Sequence, residues 1–190
     1  FTKIDEFHAV SHSIAIEAEK YGVDPDKITI IRPAVDLIHL DSKLYKSGIA
    51  NSGKLKIISI GRCHWIKGYT FALDAMALLK KEGLNFHYTI IAYGRDFENI
   101  NYQIHDLGLN ECITFINGLP HGSVIDKLSN SDLFLLPSLA EGISNAVLEA
   151  MTLGVPVIST DCGGMGEIIN NGENGFLVPV RDSDLIAEAI

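Results

Sequence analysis

"LKIISIGRCHWIKG", Leu55 to Gly68, begins as a mainly apolar run without alternation and ends in a loop carrying two cations. A strand with one face in water alternates apolar and polar residues, whereas a strand covered on both faces has no need to. "LKIISIG" therefore reads as an interior strand of a parallel sheet. The same kind of run returns in "FHYTIIAYG" (86–94), "CITFING" (112–118), "LFLLPS" (133–138), "VPVIST" (155–160) and "GFLVPV" (175–180). Between them lie helix-like stretches: "YTFALDAMALLKKEG" (69–83), "NINYQIHDLGL" (99–109), "SVIDKLSNS" (123–131), "NAVLEAMTLG" (145–154), a short turn near "GGMGEII" (163–169) and "SDLIAEAI" (183–190). Strand and helix alternate about six times, the pattern of a doubly wound α/β domain. In such sheets ligands bind beyond the carboxyl ends of the strands, which is where the unusual residues fall.

The first fifty residues have a different rhythm and read as a connecting segment. "FHAVSHSIAIEAEKYG" (7–22) predicts a short strand, then a helix capped by Ser11 or Ser13 and stopped by Gly22. "KITIIRPAVD" (27–36) predicts a second short strand ended by Pro33, and "LYKSGIANSGK" (44–54) a polar linker.

Bulk properties exclude several classes of function. The chain has 190 residues, 47% of them hydrophobic, enough to bury one ordinary core. Its formal net charge of −9 argues against a nucleic-acid or anionic-membrane surface. No apolar run reaches the roughly 18–20 residues of a membrane span, and no signal peptide is visible. Cys63, Cys112 and Cys162 are far apart and show no CxxC spacing, which suits a reducing cytoplasm. His8 and His12, four apart, have a spacing that could hold a metal on one helix face, but no HExxH or third ligand accompanies them; a solvated helix face is the simpler reading.

Three loops carry the candidate chemistry. In "GRCHWIKG" (61–68), Gly61 lets the backbone turn close to a ligand, while Arg62 and Lys67 are suited to phosphate oxygens. It is neither a Walker loop nor a dinucleotide fingerprint. In "AEGISNAVLEAMTLG" (140–154), Ser144 or Asn145 is a candidate N-cap, and the free amides of the helix start make an anion site. Glu149 lies roughly 6 Å further along the axis from Asn145, within reach of sugar hydroxyls; a first-turn acid complementing the dipole is the simpler alternative. Glu141 precedes the helix, and as an ordinary loop residue it would need no role. In "STDCGGMGE" (159–167), Gly163 and Gly164 would expose amides where a side chain would obstruct a ligand.

Taken in this order and spacing, "GRCHWIKG", "PSLAEGISNAVLEAMTLGVPVIST" and "GGMGEIINNGENGFLVP" resemble the C-terminal, nucleotide-sugar-binding half of the GT-B retaining glycosyltransferases of family 4 (glycosyl transferases group 1). The likeness runs from about Ser11 to Ile190 and rests on the G-R-x4-K-G loop and the E-x7-E pair. It implies a Rossmann-like half of a GT-B architecture. Residues 1–50 would connect from an N-terminal domain absent from this sequence, and residues 51–190 would form the donor domain, cut short in its last helix. It also implies roles: Arg62 and Lys67 on the donor diphosphate, Glu141 near the donor sugar, and Glu149 on the ribose. Ser144, Asn145, Ala146 and Val147 would supply main-chain amides to phosphate, and Gly118, Leu119 and Pro120 would border the nucleobase. The sequence departs from the family at Ile143 and Ser144, where EGFG is commoner, and at "RPAVD", where a Gly usually precedes Val-Asp.

The expectation is a cytoplasmic, metal-independent, cofactor-free retaining glycosyltransferase, with the inner face of the membrane as an allowed location and a nucleotide-sugar donor as partner. Its acceptor (glycan, lipid or small molecule) would be bound mainly by the absent half, through which peripheral membrane association is also allowed. The fragment alone would be inactive. The rivals are a silent nucleotide-sugar or phosphate-binding module, and a GT-B epimerase or sugar-phosphate synthase.

Overall fold

A computed structural model describes residues 4–36 and 53–190. The linker expected over 44–54 lies, apart from Gly53 and Lys54, outside the described residues, as does the boundary expected at residue 50.

The apolar runs form one six-stranded parallel sheet. β3 (Leu55–Cys63), β4 (Phe86–Gly94), β5 (Ile113–Ile116), β6 (Leu133–Leu136), β7 (Val157–Thr160) and β8 (Phe176–Val178) lie in the order β5-β4-β3-β6-β7-β8. Chain order runs outward in one direction from β3 and then restarts on its other side at β6. This is the doubly wound topology, with its switch point between β3 and β6.

Both faces are covered, as the lack of alternation requires. On one face Ile57, Phe86, Tyr88, Ile90 and Leu135 meet α2 (Tyr69–Lys81), α3 (Phe97–Asp106) and α6 (Ser183–Ala189) through Leu73, Met76, Ile104 and Ile186. On the other, Ile58, Ile91, Phe134 and Leu136 meet α4 (His121–Ser129) and α5 (Asn145–Thr152) through Val124, Leu128, Val147 and Ala150. Ile57, Ile58, Leu135 and Leu136 are each 2% exposed or less. Burying each contributes on the order of 1.5–3 kcal/mol, so neighbouring residues of one strand stabilise opposite layers.

The sheet also holds a buried polar relay. The Tyr88 hydroxyl donates to Ser59 Oγ (2.8 Å), which donates to the Leu135 carbonyl, linking β4, β3 and β6. Burial pushes the Tyr88 phenol far above its ordinary value, so it stays a neutral donor.

Residues 4–36 form a small unit of their own. β1 (Phe7–Ala9) and β2 (Ile28–Ile30) pair in parallel, with α1 (His12–Lys20) between them in sequence. Ser11 is the cap: its hydroxyl accepts from the Ile14 amide (3.2 Å). His8 lies in β1 and His12 opens α1, so they do not share a helix face, and no cluster of potential metal ligands occurs among the described residues.

This unit docks on the loop after β7. Glu167 accepts from the Ser13 amide (3.1 Å) and pairs with Arg32 (2.9 Å). Burial opposes ionisation of Glu167, but the His12 and Ser13 amides and the Arg32 guanidinium outweigh it and hold the carboxyl below its ordinary value. A depressed carboxyl stabilises the fold above its unfolded pKa, and that stability is lost as pH falls through the lower native value. Glu167→Gln should therefore lower Tm at pH 7 by roughly 2–4 °C, equivalent to about 1 kcal/mol in a domain of this size. The gap between variant and wild type should narrow as melts are taken below the ordinary Glu pKa of 4.5 and close once pH is below the lower native value. A gap that stays constant down to acid pH would show that the carboxylate does not hold this clasp.

Candidate functional site

At the carboxyl edge of the sheet, over the β3/β6 switch point, lies a cavity of about 590 Å³. That is within the range of roughly 300–1,000 Å³ usual for small-molecule sites. Four strands, β3 to β6, contribute to it or lead into it. Gly61 and Arg62 end β3, Tyr93 is near the end of β4, Gly118 and Leu119 follow β5, and Glu141 and Ile143 follow β6. Asn145, Ala146 and Glu149 come from α5, and Lys67 from the single 3₁₀ turn before α2. Val10 and Pro33 complete the wall from the 4–36 unit.

Loop packing fixes the charged groups. Gly68 has φ +62°, and a Cβ there would lie 2.0 Å from the Pro137 carbonyl oxygen. The Leu139 amide donates to Ile66 O (2.7 Å). The loops after β3 and β6 are thus clipped together, and Lys67 meets Glu141: Nζ donates to Oε1 at 2.5 Å. The same oxygen accepts from the buried Ser138 hydroxyl (2.6 Å). Ser138 is fixed in turn by Thr160, whose hydroxyl donates to the Ser138 carbonyl.

Arg62 is different. It is exposed on the cavity wall and forms no ion pair with any described residue. Its guanidinium is available for an anion, whereas Lys67 must exchange or share Glu141 to meet one.

The third positive element is the start of α5. The amides of Asn145 and Ala146 donate to no described acceptor, and both residues line the cavity. Unsatisfied N–H groups at a helix start, aligned with its dipole, attract anions. The structure narrows the sequence expectation here. Ser144 is the N-cap, but its side chain makes no capping bond. Val147 is fully buried and its amide is committed to Ser144 O (3.1 Å), so it has no free donor to offer.

Glu149 lies in the second turn of α5 and is not a first-turn acid. Its Oε1 is 2.8 Å from Nε2 of His121, the first residue of α4. Glu149 is 16% exposed and His121 69%. His121 escaped the sequence reading, because twenty-eight positions separate the pair and no motif links them. Gly118 and Leu119 line the cavity; Pro120 does not, serving instead as the N-cap residue of α4.

Gly163 and Gly164 were expected to present amides to a ligand, and the structure gives them another task. A Cβ on Gly163 (φ +57°) would lie 1.6 Å from the Glu141 carbonyl oxygen, and one on Gly164 2.3 Å from that of Gly142. The Gly164 amide is already donated to Gly142 O (2.7 Å). Neither glycine lines the cavity; both let the loop after β7 press on the loop carrying Glu141.

Cys63 ends β3 and Cys162 follows β7, and both are buried. Burial pushes both thiols up, Asp96 adding to this at Cys63, so neither is an activated nucleophile.

Comparison with known proteins bears on the family and the fold. The family model described as "Glycosyl transferases group 1" matches residues 42–190. The amylovoran biosynthesis glycosyltransferase AmsK of Erwinia amylovora is 33% identical over 172 residues, covering 87% of this chain and 42% of that protein. The putative colanic acid biosynthesis glycosyltransferase WcaL of Escherichia coli is 31% identical over 196 residues, 100% of this chain and 48% of that protein. This chain thus spans a little under half the length of these curated relatives. Among solved structures, Anabaena HepE in complex with UDP and glucose matches with a TM-score of 0.83 at 21% identity, over 97% of this chain and 52% of that one. A glycosyltransferase from Rickettsia africae matches at 0.85 and 22%, with the same coverage, and both likenesses show the fold alone. The family match over residues 42–190 shows that this chain belongs to the glycosyl transferases group 1 family.

Proposed function

We propose that this chain is the donor-binding half of a retaining glycosyltransferase of family 4, moving a sugar from a nucleoside diphosphate to an acceptor hydroxyl. The observation that carries this reading is the convergence of Arg62, Lys67 and the free Asn145 and Ala146 amides on one cavity with Glu141 and Glu149 in its walls. A diphosphate would lie between the cations and the start of α5. The ribose would face Glu149, and the base would lie towards Gly118 and Leu119.

In the reaction, the bond from the anomeric carbon to the terminal diphosphate oxygen breaks and its electron pair leaves with that oxygen. The acceptor hydroxyl forms the new carbon–oxygen bond on the same face and gives its proton to the departing diphosphate. Negative charge grows on the phosphate, where Arg62, Lys67 and the helix amides stabilise it; preorganised electrostatic stabilisation of this kind often contributes more to catalysis than any other effect. These groups supply the charge neutralisation themselves, so the proposed reaction needs no divalent ion or organic cofactor. Glu141, with one oxygen committed to Lys67 and Ser138, would hold Lys67 in place and face the donor sugar.

The acceptor would be bound mainly by the rest of a longer protein, since the relatives are about twice this length. HepE has been solved with UDP-glucose, which makes uridine donors the first to test. A reducing, cytoplasmic setting is proposed from the three unpaired cysteines. No described helix is long and apolar enough to cross a membrane. Residues 1–190 alone should transfer no sugar, because the proposed site closes between two halves.

Donor-saturation kinetics on the full-length enzyme separate the roles. Arg62→Ala and Lys67→Ala should lower kcat roughly 10²-fold, as loss of an oxyanion donor does, because charge on the diphosphate rises only in the transition state. Glu149→Gln should mainly raise the donor KM, by about tenfold, since the ribose contacts do not change during the reaction. EDTA should leave the rate unchanged. If Arg62→Ala changed KM alone while Glu149→Gln abolished kcat, the roles would be reversed.

A further inference from the structure

A second cavity of about 200 Å³ lies on the far side of the loop that carries Arg62 and Lys67. Its walls are His64 and Trp65 from that loop, Tyr69 and Thr70 from the start of α2, and Asp96, Asn99, Ile100 and Gln103 from the entry to α3. It is too small for a nucleotide, which needs roughly the volume usual for cofactor sites, yet it has room for one six-membered ring.

Three features of this cavity are unexplained by folding. Trp65 is 64% exposed, so one of the largest apolar surfaces in the chain stands in water beside the rim. Its ring lies 5.5 Å from that of His64, tilted by 36°, and no other described aromatic ring packs on it. Asp96 Oδ2 is shielded from solvent and has no hydrogen-bond partner among the described residues, so only the other oxygen of this carboxylate can meet a ligand in the cavity. The Asn99 side chain also hydrogen-bonds to no described residue.

The remaining wall is rigid. Thr70 Oγ1 donates to Gln103 Oε1 (2.7 Å), Gln103 Nε2 donates to Asp74 (2.9 Å), and the Asp96 amide donates to Cys63 O (3.3 Å).

We infer that this cavity binds a single pyranose ring of a glycan, stacked by its C–H face on Trp65 and hydrogen-bonded through its hydroxyls to Asp96 and Asn99. An exposed indole suits the apolar face of a sugar ring, and such amphipathic contacts are what exposed Trp is used for. Asp96 demands donors, and Asn99 offers both a donor and an acceptor, which vicinal hydroxyls match. A cation would satisfy Asp96 and the indole but would leave the Asn99 amide donor unused. The site lies beyond the proposed donor cavity and does not depend on it. It would hold a sugar of the acceptor or product chain on the same edge of the sheet as the reaction.

Trp65 is the only tryptophan among the 190 residues, so its emission reports on this cavity. The test titrates the chain with the methyl α-D-glycopyranosides of glucose, galactose and mannose. At least one should shift the emission to the blue in a saturable way, with a Kd of roughly millimolar order. Asp96→Asn should weaken that binding about tenfold or more, and Asn99→Ala, an exposed change that leaves the fold intact, should weaken it as well. Glu149→Gln, a change in the donor cavity on α5 and away from the loop that carries Trp65, should leave it unchanged. The inference fails if none of the three glycosides moves the emission, if tetramethylammonium moves it instead, or if both wall variants bind as wild type does. It also fails if only UDP-glucose moves the emission and Glu149→Gln weakens that response. A thermal-shift titration with UDP alone tests the donor reading separately.

Discussion

The Glu141–Gly142 backbone is held where one more carbon would not fit. The missing Cβ of Gly163 leaves room for the Glu141 carbonyl, the missing Cβ of Gly164 leaves room for that of Gly142, and a Cβ on Gly142 would strike Val10 at 2.4 Å. Three stretches distant in sequence therefore interlock: the loop after β6, the loop after β7 and the 4–36 unit. With the backbone so fixed, the Glu141 side chain reaches Lys67 and the start of α5 opens on the same space as Arg62. The contacts are steric, so the site is preorganised before any ligand arrives, the condition under which electrostatic stabilisation is most effective.

Electrostatics then divide the two cations. Lys67 and Glu141 are 14% and 13% exposed, dry enough that each would be costly to leave alone. A partly buried pair contributes little net stability, while removing one partner typically costs about 3–5 kcal/mol. Glu141 thus holds Lys67 in position, and a phosphate would take over part of that duty. Arg62 remains uncommitted. The chain carries a formal net charge of −9, so this concentration of positive groups is local and does not reflect composition.

Much of the architecture was legible because burial leaves a direct mark on sequence. Mainly apolar runs such as 55–61 and 133–136 become strands whose successive residues enter opposite cores, as Ile57 and Ile58 do. Arg62, Lys67, Glu141 and Glu149 were legible as a group because each stands at a carboxyl edge, and the topology brings those edges together. Features that depend on which loop meets which were not. Gly163 and Gly164 read as ligand-facing because glycine marks close approach without naming what approaches, and here it is protein backbone. Val147 lost its free amide to a turn bond, and Glu149 gained His121 from another helix; periodicity registers neither. Residues 4–36 read as a connector, yet Val10 and Pro33 wall the cavity, because a short parallel strand pair gives no hint of the surface it packs on.

The proposed activity stands or falls on whether the cavity over the β3/β6 switch point receives a nucleoside diphosphate through Arg62, Lys67 and the first amides of α5. Backbone ¹⁵N–¹H NMR of the chain titrated with UDP reads this out, since the two amides concerned have no acceptor in the structure. The Asn145 and Ala146 signals should move downfield as they gain one, with Gly61 and Gly118 perturbed in parallel and Val147 moving less. Saturable UDP binding that leaves Asn145 and Ala146 in place, with its shifts clustered elsewhere on the chain, would overturn that placement.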